Sequence, residues 1–164
     1  MKSAPQYKRP ESVLVVIHTR GGQVLLLERR SPRGFWQSVT GSLRWDETPR
    51  QAALRELREE TGLDGHRYLI DCHHSERFPI IPPWRARYAP NIHLNREHLF
   101  LLPLPSRRIV RLSPHEHIAS RWLPWQRAAA WASSWTNRAA IRRLMETIPC
   151  PHPSARGGAH RFSY

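Results

Sequence analysis

The chain has 164 residues, enough for one domain with a substantial core, and carries a formal net charge of +13 with only two cysteines. The absence of any run of about 18 apolar residues excludes a membrane-spanning helix, and the opening MKSAPQYKRP has no apolar leader segment. Cys72 and Cys150 are too few for a disulfide framework or a closed zinc site, so the expectation is a cytoplasmic protein with no membrane partner.

The elements predicted in chain order make an α/β domain over residues 1–148. Ser12–His18 (SVLVVIH) and Gln23–Glu28 (QVLLLE) read as strands joined by a turn at Gly21-Gly22. Trp36–Thr40 reads as one strand entering a polar loop. Thr48, Pro49 and Gln51 then form a helix start, with Thr48 as cap, Pro49 at the first helical position and Gln51 returning a hydrogen bond. Good helix formers follow, and Gly62 stops the helix in a left-handed cap, so it spans Pro49–Thr61. Strands are predicted at Arg67–His73, Glu97–Leu104, Ile109–Leu112 and Arg121–Leu123, with Cys72 a buried thiol. Between the first two lies a proline-rich loop, residues 78–90. Trp125–Ala132 and Asn137–Ile148 read as helices from their apolar spacing. Residues 149–164 (PCPHPSARGGAHRFSY) read as a disordered basic tail.

Arginine supplies nearly all of the positive charge, since Lys2 and Lys8 are the only lysines. Guanidinium forks match phosphate oxygens, and a basic surface concentrates anionic ligands. The same charge suits RNA as well as a small phosphorylated substrate.

The densest chemical signal is Gly41–Leu63, GSLRWDETPRQAALRELREETGL. Glu56, Glu59 and Glu60 stand at i, i+3 and i+4 and share one helix face, which repels itself unless something positive sits there. A merely solvated face would mix signs. Clustered carboxylates suit a hard cation that also binds phosphate oxygens. Ala53, Leu54 and Leu57 point to another side, leaving the carboxylates on an exposed face. Glu47 precedes the helix and joins or supports the cluster, and Arg55 orients carboxylates by ion pairing rather than touching substrate.

Gly41, Glu47, Arg55, Glu56, Leu57, Glu59, Glu60, Gly62 and Leu63 fill every fixed place of G-x5-E-x7-R-E-U-x-E-E-x-G-U, where U is bulky and apolar. The segment therefore resembles the motif of the Nudix hydrolases. The resemblance implies a Nudix fold, a mixed β-sheet sandwiched between helices, and magnesium-dependent cleavage of a diphosphate bond, with manganese as a substitute. Residues 7–145 further resemble the bacterial dihydroneopterin triphosphate diphosphatase branch of that family. The quoted stretches are Tyr7-Lys8-Arg9-Pro10, Glu28-Arg29-Arg30, Phe35–Ser42 (FWQSVTGS), Leu69–Cys72, Arg87–Pro90, Glu116-His117 and Ser134–Arg138. The chain departs from it in having Arg44 and Trp45 in the motif loop.

That likeness implies release of pyrophosphate from 7,8-dihydroneopterin triphosphate, in folate synthesis. Glu56 and Glu60 are then the main metal ligands, and Glu59 is a further ligand or the base. Glu116 corresponds to a metal ligand or base; by itself it reads as a surface-loop glutamate. Lys8 and Arg29 match phosphate-contacting positions, Thr40 positions substrate from a strand end, and Phe78, Pro79, Ile80 and Ile81 line the pterin pocket. Ser134 reaches the ligand or, equally well, caps the following helix. Trp36 and Trp135 read as core aromatics. The histidines form no closed zinc pattern and read as loop residues, with His117 supporting the site. Two alternatives stay open: a Nudix pyrophosphohydrolase for RNA 5′ ends or (deoxy)nucleoside triphosphates, and a non-catalytic module that binds nucleic acid. The partner expected first is a small pterin or nucleoside triphosphate, and oligomeric state has no signal in the sequence.

Overall fold

The structure is a computed structural model that describes residues 7–82 and 84–147. The tail, Cys150 and the predicted helix end at Ile148 lie outside those residues. Seven strands form one mixed sheet: β1 (Glu11–Thr19), β2 (Gln23–Arg29), β3 (Trp36–Gln37), β4 (Val39–Ser42), β5 (Ile70–Pro79), β6 (Leu94–Leu104) and β7 (His117–Pro124). The main path runs β3-β2-β1-β6-β5, with β4 paired to β1 and β7 to β2. β6 runs parallel to β1 along the whole of β1, and the other pairs are antiparallel.

Alternation along β1 explains the layering, because successive side chains point to opposite faces. Val13, Val15 and Ile17 pack with Leu25, Leu27 and Phe100 under helix α1 (Pro49–Thr61), against its Ala52, Ala53 and Leu57. Leu14 and Val16 pack with Val24, Leu26 and Leu99 under helices α2 (Trp125–Trp131) and α3 (Trp135–Glu146). A strand buried on both faces reads as a continuous apolar run, which is why SVLVVIH is so uniform. The expected mixed sheet between helices is thus the observed one.

Local chemistry sets the ends of α1. Thr48 and Gln51 make both bonds of the capping box, and Gly62 closes the helix at φ 74° with its N–H on the Arg58 carbonyl. The β1–β2 turn also falls where predicted, with Gly22 at φ 79° donating to the Thr19 carbonyl.

Five predicted strands differ. Trp36–Thr40 is two strands, because Asn137 of α3 accepts the Ser38 N–H at 2.7 Å and donates to its hydroxyl at 2.9 Å, which takes Ser38 out of the ladder. Ile109–Leu112 is irregular: the Arg111 N–H bonds the Thr61 carbonyl at the end of α1, while Val110 and Leu112 cover the core. The strand predicted at Arg67–His73 starts at Ile70 and runs to Pro79, through a register shift between Asp71 and Ser75 where His73 sits at φ 49°. The strands at Glu97–Leu104 and Arg121–Leu123 are longer than predicted, beginning at Leu94 and His117. Cys72 lies in β5, partly buried, its thiol pushed up to about 11 by burial and then by Asp71.

Candidate active site

The carboxylates of α1 do not sit on an exposed face. Glu56 and Glu60 are turned toward the sheet and buried, Glu60 with 2% of its surface exposed, whereas Glu59 is half-exposed. Room for Glu56 comes from Gly41 in β4: a Cβ there would collide with the Glu56 carboxylate. The glycine of the motif is therefore a space requirement, because helix and strand approach closely enough only if position 41 has no side chain.

Arg55 organises the group. Its guanidinium grips Glu47 with two nitrogens, reaches Glu56 Oε1 at 2.6 Å and Glu59 Oε2 at 3.3 Å, and donates to the Ser42 carbonyl at 3.0 Å. The hydrogen bonds from Arg55 hold the Glu47 carboxyl down at about 2. Glu56 moves the other way: burial raises its pKa and the Arg55 contact only partly offsets it. Glu60 is raised well above the ordinary carboxylate range by burial, then by Glu56 and Glu116; the Thr40 backbone N–H is the one hydrogen bond that favours its charged form. Its Oε2 is buried without a hydrogen-bond partner among the described residues.

Glu116 and His117 enter from the other side of the site, at the start of β7, where the Arg30 N–H holds the Glu116 carbonyl at 2.7 Å. One ligand atom from each of Glu60, Glu116 and His117 lies within 4.8 Å of the others. His117 is a buried strand residue rather than a loop residue. Burial and then Arg29 hold its imidazole down to about 4, so at neutral pH it is uncharged, and its Nδ1 has no partner among the described residues. Buried, mutually repelling carboxylates with an orphaned oxygen, beside a neutral imidazole, are the donor set a divalent cation satisfies. The residues present fit a metal ion.

Positive groups ring this cluster. Lys8 is exposed and feels Arg87, Glu56, Arg29 and Glu116; partial burial and then Arg87 lower its pKa. Arg29 ends β2 and influences both Glu60 and His117. Arg44 lies 3.9 Å from Glu59 and Trp45 donates to the Tyr7 carbonyl, so the departing loop residues fold onto the rim.

Of the remaining predicted residues, Thr40 borders the carboxylates through its backbone N–H, and the others lie elsewhere in the fold. Thr40 stands on β4 with its hydroxyl donating to the Val13 carbonyl. Phe78 and Pro79 close β5 rather than lying in a loop, Ile80 is partly buried and Ile81 exposed. Ser134 caps α3, accepting the Asn137 N–H at 3.2 Å. Trp36 is partly buried against Trp131, but Trp135 is exposed on α3, contrary to its reading as a core aromatic. His117 was underrated from sequence, since a histidine beside Glu116 looks like any loop histidine until β7 is paired with β2.

A glycine-seated helix that brings buried glutamates to a sheet edge defines a class. The NUDIX domain model matches residues 8–146, and the chain belongs to the Nudix family. It is 45% identical over 143 residues to the dihydroneopterin triphosphate diphosphatase of Escherichia coli K12, covering 85% of this chain and 94% of that one. It is 42% identical over 144 residues to the protein of the same name from Haemophilus influenzae, covering 85% and 90%. The solved structure of the E. coli dihydroneopterin triphosphate pyrophosphohydrolase superposes with a TM-score of 0.78 at 44% identity, covering 85% of this chain and 97% of that one.

Proposed function

We propose that this chain hydrolyses 7,8-dihydroneopterin triphosphate to the monophosphate and pyrophosphate, as a cytoplasmic enzyme of folate synthesis. The observation that carries the substrate is that likeness to the named diphosphatases extends over 85% of the chain rather than over the motif helix alone. The reaction class also rests on geometry: Glu60 keeps a buried carboxylate oxygen unpaired in the midst of other carboxylates.

Cleaving a phosphoanhydride with water requires neutralised phosphate oxygens, a deprotonated nucleophile and a held substrate. Magnesium, or manganese in its place, held by Glu56 and Glu60, would supply the positive charge and acidify a bound water. Lys8 and Arg29 bind the phosphate oxygens from the opposite rim. Arg55 keeps Glu56 aimed by holding it in the same grip as Glu47. Glu59 is committed to Arg55 and Arg44, which leaves Glu116 as the carboxylate that accepts the proton of the attacking water. Thr40 fixes the middle of the substrate, and Phe78, Pro79, Ile80, Ile81 and Ser134 face the pterin end.

The excess of arginine favours a second reading, hydrolysis at triphosphorylated RNA ends or of free nucleoside triphosphates. The test is product analysis after incubation with 7,8-dihydroneopterin triphosphate and magnesium. Monophosphate and pyrophosphate in equal amounts are expected. Orthophosphate with the pterin diphosphate, or no turnover, would overturn the reading.

A further inference from the structure

On the face of the sheet covered by α3, the apolar pattern of β1 and β6 breaks near the site. Leu14 and Leu99 are followed by Ser12, Glu97 and Asn95, all buried. Asn95 donates its amide to the Ser12 hydroxyl at 2.7 Å, and Ser12 lies 3.5 Å from Glu97 Oε2. The side chains of Thr136 of α3 and Thr40 of β4 also lie against the Glu97 carboxyl and favour its charged form, but burial outweighs them and pushes it up to about 7. Asn95 is 3% exposed, and its Oδ1 has no partner among the described residues. A buried acceptor left unmet costs its desolvation, so a cluster kept only for packing would be better served by apolar residues.

Two neighbours indicate what meets these groups. Phe78 stands directly opposite Asn95 in the β5–β6 register, so its half-buried ring lies on the same face. Thr40 stands between the cluster and the catalytic carboxylates: its backbone N–H faces Glu60 and its side chain, which donates to the Val13 carbonyl, lies beside Glu97. With Thr40 next to both carboxyls, Glu97 lies on the side of Glu60 toward which the far end of a bound triphosphate would extend. The cluster there offers acceptors in excess beside an aromatic face, which suits a flat heterocycle with adjacent N–H donors on its edge.

Resting on the pterin reading above, we propose that Glu97 and Asn95 are the residues that select the heterocycle. The Glu97 carboxylate accepts the ring N3–H and one hydrogen of the 2-amino group side by side, as it would accept an arginine fork. Asn95 Oδ1 accepts the other amine hydrogen, and Phe78 stacks on the ring. Satisfying hydrogen-bonded acceptors in this way discriminates strongly against a base that lacks the donors.

The test compares wild type with Glu97→Gln in two measurements: KM for 7,8-dihydroneopterin triphosphate, and the inhibition constant of inorganic tripolyphosphate, which carries no heterocycle. The expected result is a rise of at least tenfold in KM with the tripolyphosphate constant within twofold of wild type. An unchanged KM, or both constants rising together, overturns the proposal. Wild type alone gives an independent check. Dihydroneopterin should inhibit at least tenfold more strongly than its 2-deamino analogue, and equal inhibition overturns the assignment whatever the variant does. Failure of wild type to hydrolyse the pterin triphosphate would instead sink the substrate reading.

Discussion

Replacing Arg55 with lysine keeps the charge and removes the fork. In the structure the guanidinium makes two bonds to Glu47, one each to Glu56 and Glu59, and one to the Ser42 carbonyl. An ammonium is a point charge and cannot span them. The size of the loss can be read from Glu47, whose carboxyl is held at about 2 against an ordinary 4.5. A shift of that size corresponds to about 3 kcal/mol at most. Solvent at the rim of the site screens part of it, leaving about 2 kcal/mol. Because the folded-state value is depressed, this stabilisation is present above pH 4.5 and is lost as pH falls toward 2. Arg55→Lys should therefore melt roughly 6 °C lower at pH 7, at about 3 °C per kcal/mol for a domain of this size. The gap should close as pH falls from 4.5 toward 2. Activity should fall about 10- to 100-fold as Glu56 loses its support. Calorimetry across that pH range checks the first expectation and steady-state kinetics the second. Equal melting temperatures at pH 7 together with full activity would refute the organising role of Arg55.

Gly41→Ala should fold, by circular dichroism, yet lose roughly 100-fold or more in kcat/KM, because the new Cβ takes the place of the Glu56 carboxylate. Glu60→Gln removes a charge from a buried, self-repelling group, so in chelator the variant should melt at or above wild type. In magnesium it should lose the metal-induced rise in Tm that wild type shows, and with it at least ~100-fold of activity. Glu97 has a folded-state value of about 7, above its ordinary 4.5, so its contribution to stability is complete below pH 4.5 and is lost as pH rises through 7. Glu97→Gln, neutral at every pH, should gain on the order of 3 kcal/mol over wild type between pH 5 and pH 8, measured by urea denaturation.

What could be read from the sequence was whatever is specified by residues close together in it. The ends of α1 follow from Thr48, Pro49, Gln51 and Gly62 alone, and the β1–β2 hairpin from its glycines. The clustering of Glu56, Glu59 and Glu60 follows from helical geometry, but their burial does not, since it depends on β4 passing close by at Gly41. Ser38 breaks a strand because of Asn137, 99 residues away, and the segment at Ile109–Leu112 looks like a strand because Val110 and Leu112 face the core without a pairing partner. His117 and Glu97 gain meaning only when β7 joins β2 and β6 joins β1. Both are polar residues in strands whose neighbours are unremarkable in sequence, and only burial separates them from surface groups.

The most direct test of the central claim is a comparison of kcat/KM, in magnesium, for 7,8-dihydroneopterin triphosphate, the common nucleoside triphosphates and a short 5′-triphosphorylated RNA. At least a tenfold preference for the pterin, with pyrophosphate as product, is the predicted result. Faster hydrolysis of RNA ends or of a nucleoside triphosphate would leave the diphosphatase chemistry in place and contradict the substrate.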